Sequence, residues 1–264
     1  MNNPIVLITG ANTGLGLEII RALFRSFECY TIILGSRSIT NANLAIEQLQ
    51  VEYPNSETKV SPVQVDVEDD ESMQRAFDYV TKNFGRIDML INNAGGQFDQ
   101  YMYSGSLTMR EMWNKSWNVN TTGTQILTHT FVPLLLKSSS PRLLFITSGT
   151  STLAESKNPA LPINHPPEKG WPKTRPSISA YRASKTGMNM MMCEWARVLQ
   201  ADGVKTFCVS PGFLATGLGG DQERNRQMGA IDPAIGAELI REVAEGSRDQ
   251  DEGVIVRRDG IQPW

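Results

Sequence analysis

Short apolar runs rich in β-branched residues alternate along this chain with stretches whose apolar residues recur at helical spacing. The runs Ile5–Ile8, Tyr30–Leu34, Val63–Val65, Ile87–Ile91, Leu143–Thr147, Thr206–Val209 and Val254–Val256 read as strands. Most are apolar throughout, as expected of strands covered on both faces of a parallel sheet. Helical patterns fall between them, at Gly14–Phe27, Asn41–Glu52, Asp70–Asn83, Thr108–Leu136, Ser179–Leu199 and Pro233–Glu245. Strand and helix in turn predict a doubly wound α/β fold, with a parallel sheet of about seven strands and helices on both faces. No internal repeat and no linker breaks the pattern, so residues 1–264 read as one domain.

One stretch of the pattern carries chemistry. Thr9-Gly10-Ala11-Asn12-Thr13-Gly14-Leu15-Gly16 lies between the first strand and the first helix. Strand, glycine turn, helix is the setting in which such a motif binds a dinucleotide, and it makes this a Rossmann-type fold. Gly10 lets the chain turn sharply off the strand. Gly14 and Gly16 lack a Cβ, so a diphosphate can approach the backbone and the helix can pack close to the sheet. The first-turn N–H groups and the positive helix end then face the phosphates. The spacing is TGxxxGxG, not the commoner GxGxxG, and a glycine turn without ligand is the alternative.

With 264 residues the chain is long enough for one large core. A net charge of −3, with no basic run longer than two residues, argues against nucleic acid as a partner. Cys29, Cys193 and Cys208 are odd in number and show no metal-like spacing, so they read as reduced thiols of a cytoplasmic protein. His129 and His165 are too few and too far apart for a zinc site. Met1-Asn2-Asn3-Pro4 runs straight into a strand, which is not the form of a signal peptide. The greasiest region, Ile126–Leu136, contains Thr128, His129, Thr130 and Pro133 and is too short and polar to span a membrane.

Further candidates stand at the ends of the strands. After the second come Ser36 and Arg37. A carboxylate here would accept from both adenosine ribose hydroxyls and favour NAD; none is present, and Arg37 offers a planar fork to a 2′-phosphate. The expected cofactor is therefore NADP(H), the alternative reading of Arg37 being a plain surface arginine. Asp66, before Val67, either accepts from an adenine amino group or caps the next turn beside Asp69 and Asp70. Asn92-Asn93-Ala94-Gly95 suits a turn passing under a cofactor, although alone it is only a turn signal. Asn118-Val119-Asn120-Thr121-Thr122-Gly123 weakens the long helical stretch and predicts a kink at Asn120, its side chain free to hold water. Thr147-Ser148-Gly149-Thr150-Ser151 puts hydroxyls at the sheet edge where substrates sit. Tyr181 and Lys185 are four apart and share a helix face. An ammonium beside a phenol lowers the phenol pKa from about 10, making Tyr181 a candidate acid/base.

Taken in order, these residues resemble the short-chain dehydrogenase/reductase family. The likeness rests on Thr9-Gly-x3-Gly14-x-Gly16, Asn92-Asn93-Ala94-Gly95, Asn120, Ser148, Tyr181-x3-Lys185, and Pro211-Gly212 with Thr216, and covers nearly the whole chain. The tail Asp259–Trp264 looks like fungal members that act in specialised metabolism. The resemblance implies that Tyr181 moves the proton at the substrate oxygen. It implies that Lys185 lowers the Tyr181 pKa and holds the nicotinamide ribose, that Ser148 polarises the substrate carbonyl, and that Asn120 holds a relay water. It places Leu15 and its glycine neighbours on the pyrophosphate, Asp66 and Val67 on the adenine, Asn93 to Gly95 on the adenosine side, and Leu214 and Thr216 on the carboxamide. It again points through Arg37 to NADP, although the second basic residue common in the family's glycine turn is replaced here by Ala11-Asn12-Thr13. It further implies a homodimer or homotetramer, to which the apolar Met188, Met190, Met191, Met192 and Trp195 would contribute unless they are core.

One departure matters. Ser148 and Tyr181 are 33 residues apart, well beyond the family's usual gap. The proline-rich insertion, about 152–177, holds Pro159, Pro162, Pro166, Pro167, Pro172 and Pro176 and cannot be a regular helix. Leu161, Ile163 and Trp171 favour an ordered lid over an exposed excursion. Residues 213–231, with Gly217, Gly219 and Gly220, read as a mobile substrate flap. The expected function is NADPH-dependent reduction of a ketone or aldehyde, or the reverse; the alternative is an NADP-binding sensor or non-redox catalyst on the same fold.

Overall fold

The computed structural model describes residues 3–173 and 176–264, so Met1, Asn2, and Thr174 and Arg175 of the insertion lie outside the described residues. The elements run β1 Ile5–Thr9, α1 Gly14–Phe24, β2 Thr31–Ser36, α2 Ile39–Glu52, β3 Lys59–Gln64, α3 Asp70–Asn83, β4 Met89–Asn92, α4 Asp99–Tyr103, α5 Met109–Trp117, a π-helical turn Asn118–Thr122 and α6 Gly123–Leu135. They continue with β5 Arg142–Ile146, α7 Ser179–Leu199, β6 Lys205–Ser210, α8 Gln222–Gln227, α9 Pro233–Ala244, β7 Ile255–Arg257 and β8 Gly260–Gln262. The sheet order is β3-β2-β1-β4-β5-β6-β7-β8, parallel except for the last pair.

The unbroken apolar runs are explained by burial on both faces. In β1, Val6 and Ile8 enter a core with α1, α2 and α9, while Ile5 and Leu7 enter a second core with α3, α6 and α7. The chain order reverses between β1 and β4, so the carboxyl ends of these strands flank the crevice where ligands bind in such sheets.

The described residues form an eight-stranded sheet within the expected doubly wound fold, in which β8 returns antiparallel on β7, pairing Gln262 with Ile255. Two expectations are corrected. β3 begins at Lys59 and runs through Ser61 and Pro62, polar and proline residues tolerated because β3 lies at the sheet edge. α1 stops at Phe24, and Phe27 stands in solvent. The long helical stretch divides as the Asn and Thr residues suggest, with Asn120 inside the π-helical turn between α5 and α6.

Candidate active site

The glycine turn is locked to the end of β4. Thr9 Oγ1 accepts from the N–H groups of Asn93 at 3.1 Å and Ala94 at 2.9 Å. Asn93 Nδ2 donates back to the carbonyls of Thr9 and Gly10 at 2.8 and 3.1 Å. Gly10 has φ of 62°, and a Cβ there would lie 3.0 Å from Ala94 Cα. A Cβ on Gly16 would lie 2.5 Å from Gly10 O, so the helix start packs as closely as the spacing implies. Above this packed floor the turn is open. Thr13 makes no side-chain cap and the first turn of α1 carries no acidic residue, so its N–H groups and positive end remain for an anion. Gly14, at φ 55°, has only the Thr216 side chain near its missing Cβ, at 3.6 Å. Leu15 is half-buried beside it. A cradle that a side chain would fill, facing a helix N-terminus, fits a dinucleotide diphosphate.

At the end of β2, Ser36 Oγ donates to Asn12 Oδ1 at 3.0 Å, tying that strand to the glycine turn. Arg37 is exposed; its carbonyl accepts from Gln64, and its guanidinium makes no ion pair among the described residues. Asp66 Oδ1 accepts from Glu68 N at 3.0 Å, the turn-capping alternative, while Asp69 caps α3. The Val67 carbonyl lies against Gly123, where a Cβ would come within 2.0 Å.

The hydroxyl, phenol and lysine meet at the carboxyl end of β5. Tyr181 is 7% exposed, and burial pushes its pKa up while a hydrogen bond with the Ser148 side chain pulls it down. Ser148 Oγ also lies 3.0 Å from Thr150 Oγ1. Lys185 is buried, and its Nζ donates to Ile146 O at 2.8 Å. Burial pushes its pKa down to about 8, with Cys208 acting weakly the other way. No hydrogen bond joins the Lys185 ammonium to the Tyr181 phenol among the described residues. Lys185 shares the helix face of Tyr181, but its Nζ donates to the Ile146 carbonyl, and Ser148 alone opposes the upward shift of the phenol.

Asn120 is fully buried, and its side chain is not free to hold water. Its Oδ1 accepts from Gly96 N and its Nδ2 donates to Gly96 O, both at 2.8 Å, and to Ser184 Oγ at 2.9 Å. Ser184 Oγ in turn donates to Tyr181 O at 2.9 Å, so Asn120 braces the phenol-bearing helix. Gly95 fits between, with Asn120 Oδ1 3.0 Å and Lys185 Nζ 3.2 Å from where its Cβ would be.

The flap is pinned at its neck. Leu214 pairs with Ile231, and the Leu214 side chain and Pro211 pack on Gly236 of α9, so these groups support the flap. Gly212 follows Pro211 at φ 106°. Asn225 Nδ2 holds the carbonyls of Thr216 and Leu218 at 3.0 Å each. The insertion is anchored at its base by Arg182 Nη2 to Asn164 Oδ1 at 3.0 Å. Farther out, Trp171 is 85% exposed, so the burial expected of that side chain is not found.

Two residues were not foreseen. Asp99 is 1% exposed and caps the start of α7 through Ala180 N and Tyr181 N. Gln262 donates to the Ser148 carbonyl at 3.1 Å. Each acts across a long sequence separation, where no local pattern signals it. Among the described residues no cluster of His, Cys, Asp or Glu fits a metal ion, and no helix is long and apolar enough to cross a membrane.

A doubly wound sheet with a glycine cradle at its switch point and a Ser–Tyr–Lys set beside it defines the dinucleotide-binding oxidoreductase class. The sequence matches the short chain dehydrogenase family over residues 4–160 and 171–227, a match interrupted within the insertion. It is 46% identical over 270 residues to the short-chain dehydrogenase/reductase eupG of Phoma sp, covering 98% of this chain and 97% of that one. It is 44% identical over 268 residues to the short-chain dehydrogenase/reductase tropE of Talaromyces stipitatus, covering 100% and 98%. Its fold superposes on NADPH-bound carbonyl reductase from chicken fatty liver with a TM-score of 0.78, 20% identity and full coverage of both chains. The chain belongs to the short-chain dehydrogenase/reductase family of oxidoreductases, which use nicotinamide cofactors.

Proposed function

We propose that this protein is an NADPH-dependent reductase of a ketone or aldehyde, or, in reverse, the corresponding NADP-dependent alcohol dehydrogenase, in fungal specialised metabolism. The observation that carries the reading is the buried Tyr181 with its phenol beside Ser148, whose side chain draws its pKa down, and the buried Lys185 held on Ile146 O, all at one sheet edge. Gly10, Thr13, Gly14, Leu15 and Gly16 would hold the diphosphate, Asp66, Val67, Asn93, Ala94 and Gly95 would border the adenosine, and Pro211, Gly212, Leu214 and Thr216 would border the nicotinamide. When bound, the nicotinamide supplies or accepts the hydride.

The chain's own groups do the rest. Ser148 donates to the substrate oxygen, and Tyr181 gives that oxygen its proton, so two donors meet the charge as it develops. The family role of Lys185, easing proton loss from the phenol, is compatible with its bond to Ile146 O, because an ammonium has three N–H donors and acts on the phenol through its charge. Arg37 and Ser36 favour NADP: an exposed guanidinium without an ion pair among the described residues and a strand end without a carboxylate suit a 2′-phosphate. Assembly into a homodimer or homotetramer draws support from Met190, 60% exposed on α7, although Met188 and Met192 are core. A cytoplasmic location accords with reduced cysteines.

The experiment follows NADPH consumption across a panel of bulky ketones and aldehydes. Turnover of at least one, much weaker with NADH, is expected. NADPH that binds but is never consumed with any of them contradicts the reading.

A further inference from the structure

The residues after β7 reach back to Ser148. β8 pairs with β7 at the sheet edge, and Gln262, 2% exposed, donates from Nε2 to Ser148 O at 3.1 Å. Trp264 O accepts from Ala154 N at 2.6 Å and from Thr152 Oγ1 at 3.2 Å. Arg257, at the end of β7, pairs with Glu155 at 3.2 Å. The hairpin and tail thus hold the whole segment from Ser148 to Glu155, which leads from the reactive hydroxyl into the insertion.

The Ser148 carbonyl is the pivot of this arrangement. Besides Gln262 it receives Ser151 N at 3.1 Å and Ser151 Oγ at 2.6 Å. Asn189 of α7 holds Ser151 Oγ at 3.0 Å. One oxygen is therefore clamped from two sides, by α7 through Ser151 and by the tail through Gln262. Fixing a carbonyl fixes its planar peptide, and with it the position of Ser148 Cα and the axis about which its Cα–Cβ bond can turn. The next residue, Gly149, is exposed and has no side chain to restrain that peptide. An outside clamp supplies the restraint.

Stability alone does not favour glutamine here. Among the described residues Gln262 Oε1 is buried without a hydrogen-bond partner, which disfavours the amide relative to an apolar side chain of similar length. What an apolar side chain cannot supply is the donor to Ser148 O. We propose that Gln262 is a positioning residue, setting the Ser148 hydroxyl through the Ser148–Gly149 peptide. The proposal rests on the reading of Ser148 as a catalytic hydroxyl.

The test is a variant cycle assayed at saturating NADPH: Gln262→Leu, Ser148→Ala, and the two together. Gln262→Leu lowers kcat by about tenfold or more, the scale of a misplaced reacting group, with unchanged NADPH affinity and a near-wild-type melting temperature. On the Ser148→Ala background it causes no further loss, because its effect passes through that hydroxyl. Gln262→Glu is a second probe that keeps the length: its carboxyl donates only when protonated, so its turnover falls relative to wild type as pH rises and recovers as pH falls. Ile261→Ala, on the same strand and 51% exposed, keeps wild-type turnover. Wild-type kcat in Gln262→Leu, or the same proportional loss on both backgrounds, overturns the proposal and leaves Ser148 in its role. Wild-type turnover in Ser148→Ala overturns the catalytic reading itself.

Discussion

The Asp99 carboxylate accepts from the backbone N–H groups of Ala180 at 3.0 Å and Tyr181 at 3.2 Å, so α4 caps the helix that carries the phenol. Tyr103, at the other end of α4, accepts from Ser177 N at 2.7 Å and holds the end of the insertion. Asp99→Ala removes an acceptor shared by two helix-start donors. It is expected to lower stability by about 1–2 kcal/mol and to reduce kcat more than NADPH affinity, measured by melting curves and steady-state kinetics. Asp99→Asn, which keeps one acceptor oxygen, recovers part of both.

Lys185 sets a balance between stability and activity. Its folded pKa, about 8, lies below the ordinary lysine value of about 10.4. A depressed folded pKa favours the neutral form, so its contribution to stability is present above the unfolded value and lost as pH falls through about 8. Near pH 7 the wild-type protein carries a buried ammonium. Lys185→Met is expected to lose turnover yet to melt no lower than wild type at pH 7. Any advantage shrinks as pH rises from about 8 to about 10.4, read from melting temperatures across that range.

Arg37 tests the proposed preference for NADP. Replacing it with alanine is expected to raise KM for NADPH about 10- to 100-fold, the scale of charged hydrogen bonds, and to leave KM for NADH little changed. Parallel kinetics with the two cofactors decide it; an equal change in both contradicts a 2′-phosphate contact.

Gly123 tests the packing behind the proposed adenine side. A Cβ there would lie 2.0 Å from Val67 O and 3.1 Å from Asn118 O. Gly123→Ala must push the π-helical turn away from the Asp66–Val67 corner. It is expected to cost about 1–3 kcal/mol of stability and to weaken NADPH binding, seen in denaturant titration and fluorescence quenching.

Most of the sheet was legible because burial on both faces writes an unbroken apolar run, as in Ile5–Ile8, divided between two cores. The edges were harder to read. β3 contains Pro62, and β8 is three residues long, since an edge strand need not bury both faces. The glycine cradle and the Tyr181–Lys185 pair were legible because their geometry is local, one turn or one helix long. Asp99 and Gln262 were not, because their partners lie 81 and 114 residues away. Lys185 shows the limit of spacing arguments: four residues put it on the phenol's face, but its hydrogen bond goes to a backbone carbonyl on β5.

The central claim is that Tyr181 is the acid/base of a carbonyl reductase. The direct measurement is single-turnover reduction by Tyr181→Phe beside wild type, on the best carbonyl of the panel, with NADPH affinity measured separately. Removing one phenolic oxygen is expected to slow reduction by at least about 100-fold, the scale of general acid catalysis, with NADPH affinity preserved. A variant that reduces the same substrate at close to the wild-type rate contradicts the account.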